Sequence, residues 1–294
     1  MSFKSPPEIA QAGVETGTKK AALSWDKAVV AGFLAGAYIA FAGLLAIVAS
    51  AGMDPERWGG VQTLVTGGVF ALGLILVVIA GSELLTGNMA LVPLAALSDR
   101  VGLGKLLHNL TWVLVGNLIG SLFVAYFLAV ETGVVMAEQP LERLDKIATA
   151  KALDETDWQV FLRAVGCNWL VCLAVWMALA AEDIAGKVLA IFFPIMAFVA
   201  LGFDHVVANM FFLPAAMFAD VPQIGWNDVL GNWGLAFLGN FVGALIFVAT
   251  SYWYLYVRPT EQATAGGVAS DPRSDGRFGR EEEAAAGSSS RPSA

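Results

Sequence analysis

The chain is poor in charge. Of its 294 residues only 14% are Asp, Glu, Lys or Arg, whereas 57% are hydrophobic, and the mean hydropathy is +0.67. A soluble domain carries roughly 25% charged residues, so a water-soluble globule is excluded. Cysteine is almost absent. Cys167 and Cys172 both fall inside one apolar run, which excludes a disulfide framework and leaves two small packing residues. Only two histidines occur. No metal-ligand spacing, nucleophile elbow or phosphate loop is present, so no cofactor is expected and an enzyme is disfavoured. Basic clusters of the nucleic-acid-binding kind are missing too, and the net charge of −8 resides largely in loops and tail.

What remains is apolar sequence in long runs. Six spans are predicted, at about 28–51, 61–97, 105–130, 158–181, 187–218 and 229–257. A polar segment at 1–27 precedes them, with a short surface helix in its first twenty residues. A Gly-, Ala-, Ser- and Glu-rich tail at 258–294 follows and is expected to be disordered. No cleavable leader is expected, because no small-residue cleavage site precedes the first run near Ala28. Twelve of the seventeen Lys and Arg fall on one side of this plan, together with both termini. By the positive-inside rule that side is cytoplasmic. The expected location is a bacterial inner membrane, crossed several times.

The second and fifth runs are too long for one straight crossing. Each is interrupted by glycine and polar residues, at Gly81-Ser82-Glu83-Leu84-Leu85-Thr86-Gly87-Asn88 and at Gly202-Phe203-Asp204-His205-Val206-Val207-Ala208-Asn209. Breaks at membrane depth survive only where protein or water satisfies the freed backbone. The two breaks align at an offset of 121, pairing Gly81 with Gly202, Glu83 with Asp204, Asn88 with Asn209 and Pro93 with Pro214. The next run repeats at an offset of 123, pairing Asn109 with Asn232, Gly116 with Gly239, Asn117 with Asn240 and Gly120 with Gly243. In the first run of each half only Gly36 and Gly166 pair. Three spans per repeat is odd, so the halves insert in opposite senses and the two broken helices meet near the midplane.

His205 stands in the second break, and an ionisable side chain at membrane depth is a functional candidate by default. Histidine also exchanges a proton near neutral pH. Thr86 stands in the other break, where its hydroxyl opposes His205 across a pore. Glu83 and Asp204 are expected to accept loop N–H bonds ahead of the half-helices, which start near Asn88 and Asn209. The positive ends of those helices favour an anion. Phe70 and Leu74, at i and i+4, and Phe198 are placed to form apolar constrictions or core. Asn168 and Asn240 either line the path or bond between helices.

Three motifs carry a family resemblance: the first break, Asn-Trp-Leu-Val-Cys-Leu-Ala-Val-Trp-Met at 168–177, and the second break through Met210. Together they resemble the formate/nitrite transporter family over about 25–257. The resemblance implies an aquaporin-like protomer in a homopentamer, each subunit with its own pore. It implies His205 as the central pore histidine, Thr86 as its partner, and Asn168 and Asn240 as pore asparagines. It places Phe70, Leu74, Leu85 and Phe198 at two constrictions, and the family's basic vestibule residue near Lys151. The function expected is a channel or transporter for small monovalent weak-acid anions such as formate or nitrite, with proton coupling at His205. The partners are then the anion, protons and the lipid bilayer. The alternative is a pore for neutral solutes such as water, glycerol or hydrogen sulfide, although the Asn-Pro-Ala signatures of aquaporins are absent.

Overall fold

The computed structural model describes residues 3–258, and these are helical apart from turns and one isolated bridge between Phe3 and Ala181. Helix α1 (Pro6–Ala21) begins with Pro6 and Pro7 in its first turn, where a missing N–H is harmless. Ser5 closes it by donating from its N–H and Oγ to Glu8 at 2.8 and 2.7 Å. This helix does not lie loose on the surface as its polar composition suggests. Ile9, Ala10, Gly13, Val14 and Gly17 are buried. Gly17 permits the docking, since a Cβ there would stand 1.9 Å from the carbonyl oxygen of Leu91.

The longer helices that follow are α2 (Trp25–Ser50), α3 (Gly60–Gly81), α4 (Leu85–Leu97), α5 (Leu103–Val130), α6 (Glu138–Thr149), α7 (Asp157–Ala180), α8 (Ile184–Ala200), α9 (Val206–Phe218) and α10 (Trp226–Tyr256). Five of them, α2, α3, α5, α7 and α10, are long and apolar enough to cross a bilayer. The shortest has 22 residues, or about 33 Å at the helical rise. The expected fifth crossing is divided between α8 and α9, of 17 and 13 residues. Most of the tail expected to be disordered lies outside the described residues.

The two 13-residue helices form the centre. Leu85 through Ala95 of α4 and Val206 through Ala216 of α9 are all buried. Around them the long helices expose Leu, Phe and Trp outward, as a wall facing lipid does. Glycine sets how closely that wall packs. A Cβ at Gly116 or Gly120 of α5 would meet the carbonyls of Val29 and Phe33 at 2.5 and 2.0 Å. One at Gly239 or Gly243 of α10 would meet those of Phe161 and Val165 at 2.4 and 2.3 Å. These contacts relate α2 to α7 by 132 residues, so the Gly36/Gly166 pairing is a register error. Gly36 instead abuts the Asn117 carbonyl, and Gly166 faces the Phe203 ring.

Each break follows a glycine with positive φ, +82° at Gly81 and +71° at Gly202, a region that favours glycine. The half-helices start at Leu85 and Val206, three residues before the expected Asn88 and Asn209. The backbone N–H groups of those asparagines already donate to Leu84 and His205 carbonyls at 3.0 and 2.9 Å, inside the first turn.

Candidate functional site

A half-helix that starts inside the membrane leaves its first N–H groups without partners. Asn117 of α5 solves this for α4. Its Oδ1 accepts the Leu85 N–H at 2.9 Å, while its Nδ2 donates to the Gly32 and Glu83 carbonyls at 2.8 and 2.9 Å. Asn240 of α10 does the same for α9. It accepts the Val206 N–H at 2.9 Å and donates to the Ala164 and Asp204 carbonyls, both at 2.8 Å. Asn240 therefore clamps a break. Asn168 of α7 donates to the Thr86 and Asn240 carbonyls at 3.1 and 2.8 Å, so it too bonds between elements.

The carboxylates were expected to accept loop N–H groups; their partners are side chains instead. Glu83 accepts Lys20 Nζ at 2.9 Å and Asn88 Nδ2 at 2.7 Å. Asp204 accepts Lys151 Nζ at 2.8 Å and Asn209 Nδ2 at 2.9 Å. The circuit closes identically on both sides. Asn88 donates to Asn109, which donates to the Lys20 carbonyl; Asn209 donates to Asn232, which donates to the Lys151 carbonyl. Lys20, in the last turn of α1, is the residue that sequence reasoning missed. It precedes Trp25 much as Lys151 precedes Asp157.

Thr86 and His205 are in direct contact rather than facing each other across a gap. Thr86 Oγ1 lies 2.8 Å from His205 Nε2. His205 also caps α9, its Nδ1 accepting the Ala208 N–H at 3.1 Å. An acceptor at Nδ1 places the ring proton on Nε2, which then donates to Thr86. Phe198 stacks on the imidazole with centroids 5.9 Å apart, and Phe70 meets Phe198 edge-on at 5.9 Å.

Two cavities approach this cluster. One, of about 530 Å³, opens beside α1 and is lined by Lys20, Glu83 and Asn88, with Leu74 and Leu84 also in its wall. The other, of about 250 Å³, is lined by Arg143, Lys151 and Glu155, with Phe70, Phe198 and His205 in its wall. We refer to them as the terminal and distal cavities. A void of about 10 Å³, room for one water, shares walls with both: Leu74 and Leu84 with the terminal cavity, and Phe70, Phe198 and His205 with the distal. Its remaining walls are Ile39, Val171 and Ile195, so His205 is its one polar wall residue. Leu84, rather than Leu85, lines it; Leu85 is fully buried.

The distal cavity carries interlocked charges. Glu155 pairs with Arg163 and also meets the Asp204 carboxyl. Burial, reinforced by the Asp204 hydrogen bond, pushes the Glu155 carboxyl up to about 7.

The formate/nitrite transporter family model matches residues 7–254. A probable formate transporter of Methanothermobacter thermautotrophicus is 47% identical over 272 residues, covering 87% of this chain and 98% of that protein. Among solved structures, a formate/nitrite-transporter-family ion channel superposes with a TM-score of 0.76 at 30% identity, covering 85% of this chain and 99% of that one. A pentameric formate channel with formate bound gives 0.70 at 31% identity, covering 80% and 98%. These proteins are transporters and channels, not enzymes. With its apolar spans, its paired half-helices and this match over nearly its whole length, the chain belongs to the formate/nitrite transporter family.

Proposed function

We propose that the protein passes small monovalent weak acids, formate or nitrite among them, along the line of the two cavities, and that His205 is the polar group the solute meets at the narrowest point. One observation carries this reading: cavities from opposite ends converge on a single void with seven apolar walls and one imidazole. A bare anion in such a void loses its hydration without replacement. Loss of solvent raises the pKa of a weak acid, so the neutral acid forms more readily there than in bulk water. Lys20 and Lys151 stand at the two mouths, each paired with the carboxylate of its break. The apolar walls then pass the neutral species.

The geometry bears on where the proton travels. With Nδ1 held by the Ala208 N–H, the imidazole presents Nε2–H to Thr86 and to the solute. A second proton on Nδ1 displaces that capping bond, at a cost of about 1 kcal/mol. His205 therefore acts first as a hydrogen-bond donor. It relays a proton only when Nδ1 is recharged as Nε2 gives one up.

On this reading six crossings form two inverted three-helix repeats, each with one crossing split by a break. The matching circuits around Lys20 and Lys151 support that plan. The side holding α1 is cytoplasmic, in keeping with its excess of Lys and Arg, and the membrane is a bacterial inner membrane. The assembly is a homopentamer, by analogy with the pentameric formate channel that resembles it.

Reconstitution into liposomes tests the reading. Formate and nitrite should enter wild-type vesicles faster at lower pH, and glycerol should not. Rapid glycerol swelling with no anion uptake would favour the neutral-solute pore instead. His205→Phe keeps the stack on Phe198 and removes both nitrogens. Undiminished, still pH-dependent formate flux in that variant would eliminate the proton role.

A further inference from the structure

We propose that Arg143 forms an anion-binding station in the distal mouth, one that takes a small monocarboxylate or nitrite-like anion before it reaches His205. The inference rests on the reading of the distal cavity as a mouth of the path.

Four cations line that cavity, and three are neutralised. Lys151 pairs with Asp204, Arg163 with Glu155 and Lys146 with Glu142. Arg143 alone has no carboxylate within ion-pair distance among the described residues. Its bonds go to neutral hydroxyls. Nε donates to Ser50 Oγ at 2.9 Å and one terminal nitrogen donates to Thr66 Oγ1 at 3.3 Å. Both hydroxyls spend their own protons on helix carbonyls, those of Ala46 and Gln62, each at 2.7 Å. They turn lone pairs toward the guanidinium and leave its charge uncancelled.

A guanidinium has five N–H donors. Two are engaged here, so the others are free to meet a ligand. Bridging two hydroxyls would need only a neutral amide, and a half-buried charge without a counter-ion is costly. The positive charge is thus surplus to the structural brace. Arg143 also stands in the wall between the distal cavity and a neighbouring polar cavity of about 250 Å³. The two bonds to α2 and α3 fix the fork at that wall. Two N–H groups on a fixed plane suit the two oxygens of a carboxylate or of nitrite.

The test uses the purified, reconstituted full chain and bromide as the probe. Anomalous diffraction from bromide-soaked crystals should show an ion beside the Arg143 guanidinium in wild type, and none at that place in Arg143→Gln. The glutamine variant can still donate to the hydroxyls. Its formate concentration for half-maximal flux should rise about tenfold, and Arg143→Lys should restore most of the loss. An unchanged half-saturation in a folded Arg143→Gln, or no bromide at wild-type Arg143, would overturn the inference. If Arg143→Gln fails to fold, Arg143→Lys must still hold bromide; an empty site there overturns it too. Wild-type vesicles that carry no anion would instead overturn the functional reading on which it depends.

Discussion

Replacing Lys151 by Met separates the structural from the electrostatic role of the distal network. Asp204 is fully buried, and its Oδ1 accepts Lys151 Nζ at 2.8 Å. Without the ammonium it keeps Asn209 Nδ2 at 2.9 Å and the Glu155 contact, neither of which cancels a charge. Breaking a buried ion pair by removing one partner costs about 3–5 kcal/mol. The stranded carboxylate also repels the solute. At roughly 8 Å in an effective dielectric of about 20, two unit charges interact by about 2 kcal/mol, or about thirtyfold in occupancy. Lys151→Met should therefore melt well below wild type in detergent, and its formate uptake should fall by at least an order of magnitude. Adding Asp204→Asn removes the stranded charge, so the double variant should regain most of the melting temperature and much of the flux. A double variant no better than the single, or a Lys151→Met protein that melts and conducts like wild type, would refute the reasoning.

Other substitutions probe other parts of the account. The Glu155 carboxyl is held near 7, above its ordinary value of 4.5, so acidification through 7 removes a negative charge from the distal mouth. Glu155→Gln should raise anion flux above pH 7 and leave it little changed below pH 6, as read by uptake across a pH series. The same shift fixes the sign for stability. The folded protein binds this proton more tightly than the unfolded chain, so the contribution is full below about 4.5 and is lost as pH rises through about 7. Thr86→Val leaves the Nε2–H of a buried imidazole without its acceptor at 2.8 Å. A loss of about 1–3 kcal/mol should appear in thermal unfolding, with reduced formate flux. Gly243→Leu drives a side chain into the Val165 carbonyl, 2.3 Å from where a Cβ would sit. Separation of α10 from α7 should lower stability by at least about 1–3 kcal/mol, measured as loss of folded protein in detergent.

Much of the site was legible because breaks in apolar runs are rare and specific. The glycines, carboxylates and asparagines of the two breaks stood out, and His205 and Thr86 with them. What the sequence hid depended on residues far along the chain. The starts of α4 and α9 are set by Asn117 and Asn240, which lie 32 and 34 residues beyond the N–H groups they receive. The α4 start has no local side-chain cap and that of α9 is a histidine, a residue type that does not signal a cap in sequence, so the starts were placed three residues late. The same amides looked as ready to line a path as to clamp a turn. Leu84 is the extended residue that ends the break and Leu85 the first residue of α4, so neighbouring leucines take different directions and only the fold decides which one lines the void.

Lys20 escaped notice for a related reason. Without a register for α2 against α7, its equivalence to Lys151 could not be seen. The register is carried by what the Gly116/Gly120 and Gly239/Gly243 pairs touch, and those are backbone carbonyls with no side-chain signature. The docking of α1 was hidden likewise, because its buried face is largely Ala and Gly and carries little apolar pattern.

The central claim is that solute crosses the void beside His205. Leu84→Trp fills that void from the terminal side, and isotopically labelled formate uptake into proteoliposomes reads the result. The account predicts uptake well above empty vesicles for wild type and background uptake for a folded Leu84→Trp protein. Wild-type uptake at background, or full uptake through the filled void, would contradict it.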